Sequence, residues 1–171
     1  MPVLTRSSEP LALMFADDGS IPNNPRLPLL VYRGAIDLTG TPDPERVVER
    51  AFADHGWGDM WRNGIYPYVH YHSMIHEALG IARGSAKLRL GGNKGRTVMA
   101  SAGDVVVVPA GVGHECLTAS STFLVVGAYP PTGTYNECRG SFQEHDRAIA
   151  FIRRVGTPKQ HPLYGSREPL W

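Results

Sequence analysis

Cysteine is scarce in this chain: Cys116 and Cys138 are the only two among 171 residues, and they show no CxxC spacing. A disulfide framework and a thiolate zinc site are therefore excluded, and two reduced thiols are expected. Long apolar runs are missing as well, since nothing approaches the roughly 20 residues a membrane helix needs. The opening MPVLTRSSEPLALMF lacks the basic segment and long apolar stretch of an export signal, so a cytoplasmic location is expected. Excess charge of either sign is absent too. With 17 basic and 16 acidic residues spread along the chain, there is no electrostatic case for nucleic acid or an anionic membrane as partner. Gly91, Gly92 and Gly95 form no dinucleotide fingerprint, and no phosphate loop or nucleophile elbow occurs elsewhere. Nucleotide cofactors and serine hydrolysis are poor fits.

What the chain does carry is histidine in a pattern. Four of its seven histidines fall in residues 64–114. His70 and His72, two apart, point to one face of an extended strand and can present two imidazoles to one point. Glu77 has the wrong parity for that face. It joins them only if the chain turns at residues 73–75 and returns on a neighbouring strand. His114 follows a valine run and the segment PAGVG, which ends one strand and begins another on the facing wall. Three imidazoles and one carboxylate then converge, a donor set suited to a divalent transition metal such as Fe, Mn, Ni or Zn. His76 adjoins Glu77 and should face away, although a bulge would let it replace His70 or His72. Tyr66 and Tyr68 share the histidines' parity and either line the pocket or belong to ordinary core. Cys116 shares parity with His114, as a small buried hydrophobe or a thiol near the site.

The spacing carries a resemblance. His70 follows Gly64 by six positions, His72 comes two later, then Glu77 and Gly84. Gly103, Pro109, Gly111 and His114 form a second set, with Thr118 at its end where Asn is frequent. Together they resemble the two cupin motifs. The stretches DDGSIPNNPRLPLLVYR, WRNGIYPYVHYHSMIHEALGIARG, AGDVVVVPAGVGHECL and FLVVGAYP, within residues 15–130, resemble the YjlB-like branch of the cupins. The resemblance implies an all-β-dominated fold, a double-stranded β-helix or jelly-roll barrel, with a metal pocket and no settled reaction. On it, His70, His72, Glu77 and His114 are the expected metal ligands. Glu77 alternatively serves as a catalytic general base while the histidines alone hold the ion. Gly84, Gly103 and Gly111 then shape corners, and Pro109 enters the turn that aims His114.

The remaining elements follow from local pattern. A chain of this length reads as one domain, with residues 1–60 as an arm, strand and helix on the barrel, 61–130 as the barrel core, and 131–171 as a helix and tail. Asp43-Pro44 reads as a helix start, with Val47, Val48, Ala51 and Phe52 on one face and Gly56 beyond its end. Alternation at Ala86, Leu88 and Leu90 and the Gly91-Gly92 turn predict a hairpin. Residues 105–108 and 123–128 read as strands buried between two sheets, and residues 143–155 as a helix flanking the barrel. Trp57 and Trp61 are expected to seal the first helix against the barrel. Arg83 and Arg89 either meet an anionic substrate or face solvent. The apolar segment at residues 27–33 reads as an edge or exchanged strand, and with the extended arms it predicts a homodimer. Two function classes remain. One is a metalloenzyme of oxygenase, isomerase or decarboxylase type acting on a small polar molecule; the other is a noncatalytic sensor or accessory protein that binds metal or a small ligand.

Overall fold

The computed structural model describes residues 2–5 and 9–171. Of the arm expected over residues 1–27, residues 1 and 6–8 lie outside the described residues. The described residues form nine strands and two helices: β1 (Leu11–Leu13), β2 (Leu29–Tyr32), α1 (Pro44–Ala53), β3 (Gly58–Asn63), β4 (Glu77–Arg83), β5 (Ser85–Leu90), β6 (Arg96–Ser101), β7 (Val105–Val108), β8 (His114–Ala119), β9 (Leu124–Tyr129) and α2 (Phe142–Ile152). They build two antiparallel sheets, ordered β1-β2-β7-β4-β9-β3 and β6-β5-β8.

Strand alternation explains how one sheet buries both faces. Leu79 and Ile81 of β4, Val106 and Val108 of β7 and Val125 of β9 pack in one core with Leu88, Leu90, Val98 and Ala100 of the smaller sheet. Their neighbours Ala78, Ala82, Val105, Val107, Val126 and Ala128 pack in a second core with Val48 and Phe52 of α1 and with Leu163 and Leu170 of the tail. The valine runs are thus continuous because a sheet lies against one face and a helix with the C-terminal tail against the other, rather than a sheet on each side.

α1 begins where Asp43 accepts a hydrogen bond from the Arg46 N–H at 3.1 Å, with Pro44 in the first turn. α2 stops at Ile152, short of the expected Val155, and starts with the Glu144 carboxylate accepting from the Ser141 N–H at 3.1 Å. Its Ala148 and Ile152 pack with Ile21 and Tyr71, close to the histidine segment.

The segment at residues 27–33 is not an edge strand. β2 is fully buried and lies between β1 and β7 of its own chain. The three-residue β1 forms that edge of the sheet. Trp57 does seal α1, donating its indole N–H to the Gln160 carbonyl at 3.0 Å. Trp61 does not precede the barrel but sits within it on β3, paired with Gly127 of β9. No helix of the described residues is long and apolar enough to cross a membrane.

Candidate metal centre

His70 and Tyr71 lie on isolated bridges rather than in a continuous strand: His70 pairs with His114 and Tyr71 with Cys138. The His70–His114 pairing exchanges two backbone hydrogen bonds, at 3.2 and 3.0 Å, and so fixes two of the imidazoles side by side. A bend at residues 73–74 follows His72, and β4 begins at Glu77, opposite Val108. The chain reaches His114 through a turn in which Gly111 takes a φ of +92°, a conformation that disfavours any side chain. The Gly111 N–H donates to the His72 carbonyl at 2.7 Å and ties that turn to the first histidine segment.

One ring nitrogen from each of His70, His72 and His114 lies within 4.8 Å of the others, and all three side chains are buried. The opposite nitrogen of each ring is already committed. Nδ1 of His70 donates to the Tyr68 carbonyl at 3.3 Å, that of His72 to Asn136 at 2.6 Å and that of His114 to Val112 at 3.0 Å. A carbonyl only accepts, so each Nδ1 carries its hydrogen, and Nε2 of each ring is the nitrogen left to present a lone pair to the interior of the cluster. Glu77 Oε2 stands 3.2 Å from both His72 Nε2 and His114 Nε2. These three atoms are buried and none has a hydrogen-bond partner. Acceptors facing acceptors without a shared proton or cation are costly in a buried site. The arrangement fits a cation held between them.

The other carboxylate oxygen is held from outside the cluster. Tyr129 donates its hydroxyl to Glu77 Oε1 at 3.0 Å, and Trp61 Nε1 donates to the Tyr129 oxygen at 3.0 Å. Because the indole can only donate, the phenol hydrogen is directed at Glu77. Burial pushes the Glu77 carboxyl up, whereas positive charge beside it, on His72 and His114 when their Nε2 atoms carry a proton, more than offsets this and holds it well below the usual carboxylate range. Burial and the neighbouring imidazoles of His114 and His72 push His70 down to about 3. Burial likewise pushes the Tyr129 hydroxyl well up, with Glu77 adding to it, so the phenol stays protonated.

Above the cluster opens a cavity of about 490 Å³ lined by Trp61, Tyr66, Tyr129 and Tyr135, by Ile65, Ile75 and Leu79, and by the site residues themselves. Trp61 lies so close to β9 that a Cβ on Gly127 would fall 2.0 Å from its ring. Tyr66 meets His70 edge-on with ring centroids 5.1 Å apart, whereas Tyr68 stacks on Tyr66 and takes a hydrogen bond from Arg139 outside the cavity wall. Cys116 is half-buried on β8, with its thiol against the Thr118 carbonyl, and does not line the cavity. His76 points elsewhere: its Nδ1 accepts from the Ala110 N–H at 2.9 Å, its Nε2 donates to the Gly156 carbonyl at 3.0 Å, and its ring rests on Trp171. Arg83 and Arg89 are paired with Glu45 and Glu115. Tyr129, Tyr135 and Asn136 did not stand out in the sequence, and Trp61 reads there as a seal for the first helix rather than as part of the site. The strand parity Val125, Gly127, Tyr129 was the signal that could have placed Tyr129 beside the site.

Two facing antiparallel sheets, with two histidines and a glutamate from one motif and a third histidine from the next gathered between them, define a cupin barrel. No protein-family model matches the chain. It is 44% identical over 156 residues to the uncharacterized protein YjlB of Bacillus subtilis (strain 168), with 91% of each sequence covered. The chain belongs to the YjlB family of cupins. Among solved structures, acireductone dioxygenase from Bacillus anthracis with a cadmium ion in its active centre is 16% identical over 52% of this chain and 60% of its own, with a TM-score of 0.37. Oxalate decarboxylase from Lactobacillus farciminis in complex with formate is 13% identical over 81% of this chain and 33% of its own, with a TM-score of 0.39. The chain thus spans less than two thirds of either of those proteins.

Proposed function

We propose that this cupin is a metalloenzyme for a small molecule, with His70, His72, Glu77 and His114 holding a divalent transition metal at the base of the 490 Å³ cavity. The observation that carries this reading is the set of orphaned atoms: Nε2 of His72, Nε2 of His114 and Oε2 of Glu77, buried, unpaired and converging. Three imidazole nitrogens and one carboxylate oxygen suit Fe(II), Mn(II), Ni(II) or Zn(II). When bound, such an ion supplies Lewis acidity and open positions for water or substrate oxygen.

The chain's own groups prepare that site. Three backbone carbonyls accept from the Nδ1 atoms and so hold the imidazoles in the tautomer and orientation that leave Nε2 for an ion. Tyr129 occupies Glu77 Oε1, leaving Oε2 for the ion and keeping the carboxylate from rotating. With Oε1 taken by Tyr129 and Oε2 set 3.2 Å from two imidazole nitrogens, Glu77 is placed as a ligand rather than as a general base facing the cavity. Aromatic and aliphatic side chains form part of the cavity wall around the centre. Oxygenation, isomerisation and decarboxylation are all compatible with these parts.

Metal analysis by mass spectrometry on protein purified without chelator or added metal tests the reading. The expected result is near-stoichiometric metal in the wild type and loss of most of it in His72→Ala and His114→Ala, with far-UV dichroism largely unchanged. Full occupancy in both variants would overturn the ligand set. Metal with tight metabolite binding but no turnover would instead make the protein a sensor.

A further inference from the structure

We infer that the cavity selects a planar, ring-bearing ligand that meets the centre through oxygen donors and carries at most one negative charge; this rests on the metal reading above. Two observations carry it. The first is where the aromatic rings stand. Tyr66 and Tyr135 line the cavity with 44% and 53% of their surface exposed, large for tyrosines beside a buried site. Tyr66 sits 5.1 Å from the His70 ring and Tyr135 5.1 Å from the His72 ring, while those two imidazoles are 5.7 Å apart. The exposed rings therefore flank the donor atoms. Tyr129 and Trp61 stand behind them, with Tyr129 edge-on to Tyr135 at 5.6 Å. A ring between such faces gains area burial and the offset or edge contacts aromatic groups favour.

The second observation is charge. Among the described residues lining the cavity, the cation is Arg62, and Glu49 holds it through two hydrogen bonds at 2.6 and 2.9 Å. Nothing else in the wall offers a positive charge to a second carboxylate or to a phosphate. Asp59 and Glu77 also line the cavity, so its wall carries more acidic than free basic side chains. A dianion would enter with a charge unmatched by the wall. The volume agrees: a single six-membered ring fills on the order of 150 Å³, so a cavity of 490 Å³ admits a ring with a chelating head and room beyond it.

The test uses probes that share one chelating head. The protein is loaded with Co(II), and its visible absorption is titrated with benzohydroxamate, acetohydroxamate and oxalate; each affinity is divided by that for free Co(II). The ring should improve affinity about tenfold over the methyl group, and oxalate should be the weakest. In Tyr66→Ala/Tyr135→Ala the ring advantage should fall to about twofold with acetohydroxamate affinity unchanged, while Tyr66→Phe/Tyr135→Phe keeps it. Equal affinity for the two hydroxamates, or tightest binding of oxalate, would overturn the ligand class and leave the metal centre standing. Failure of Co(II) to give a bound spectrum would overturn the metal reading and this inference with it.

Discussion

Five histidines are buried in this protein, and they divide into two sets by what their nitrogens do. In His76 and His161 both nitrogens are spent on the protein. His161 Nδ1 accepts from the Leu163 and Tyr164 N–H groups at 3.0 and 3.3 Å, and its Nε2 donates to the Tyr32 hydroxyl at 2.8 Å. His76 likewise joins Ala110 to Gly156. In His70, His72 and His114 each Nδ1 is anchored to a carbonyl, and the other nitrogen of each contributes to the shared cluster. Burial is common to all five, so burial does not mark a ligand. What sets the second group apart is a fixed ring with one nitrogen left over.

The widest separation between the sets should appear on metal removal. An ion bound only by the folded state at a thousandfold excess over its dissociation constant stabilises by about 4 kcal/mol, or roughly 10 °C for a chain of this size. Chelation should lower the melting temperature of the wild type by that amount and leave that of His114→Ala unmoved. His76→Leu should melt lower than the wild type, having lost two backbone partners, yet keep its metal and its response to chelator. Calorimetry with and without chelator checks this, and loss of metal from His76→Leu would erase the division between the sets.

That division was only partly legible in the sequence. The turn before Glu77 and the glycine-bearing turn before His114 follow from strand geometry and are found in place; His70 and His72 do reach one cluster, but from an isolated bridge and the residues after it rather than from the continuous strand expected. That His76 faces away follows from its place beside Glu77, but spacing alone left open a bulge that would let it replace His70 or His72. The matter is decided by the register of β4 on β7, which sets Glu77 opposite Val108. Tyr129 lies 52 residues beyond Glu77 at the end of an apolar strand, where its hydroxyl looked like one more buried aromatic. Asn136, whose carbonyl orients His72, acts through its backbone, which no side-chain pattern reveals. The three-residue β1 was too short to read as a strand, and so β2 looked exposed when it is covered on both sides.

A smaller effect separates His161 from solvent histidines by pH. Burial, with a lesser contribution from His55, lowers it to about 4 from an ordinary value of 6.5. The folded state thus resists protonation that the unfolded chain accepts. Stability from this group is complete above about pH 6.5, is lost as pH falls toward 4, and changes no further below that. The loss is about 3 kcal/mol across the window. Urea unfolding of metal-free protein at pH 7 and pH 4 should show His161→Leu less stable than the wild type at pH 7, with a shallower decline on acidification. An equal decline in both proteins would assign the acid sensitivity to other groups.

The finest distinction concerns Glu77, the one non-histidine in the cluster, whose two oxygens play different parts. Oε1 is fixed by Tyr129 and Oε2 is not. If the phenol holds the carboxylate for the ion, Tyr129→Phe should weaken metal affinity by about tenfold, the lower end of what outer partners of metal ligands contribute. Trp61→Phe should weaken it less, because the phenol can still reach Oε1 once its own donor is gone. Competition with a chromophoric chelator measures both, and the order of the two effects matters more than their size. Trp61 as the more damaging substitution would mean that the indole acts by filling the space over Gly127 rather than by aiming the Tyr129 proton at Glu77.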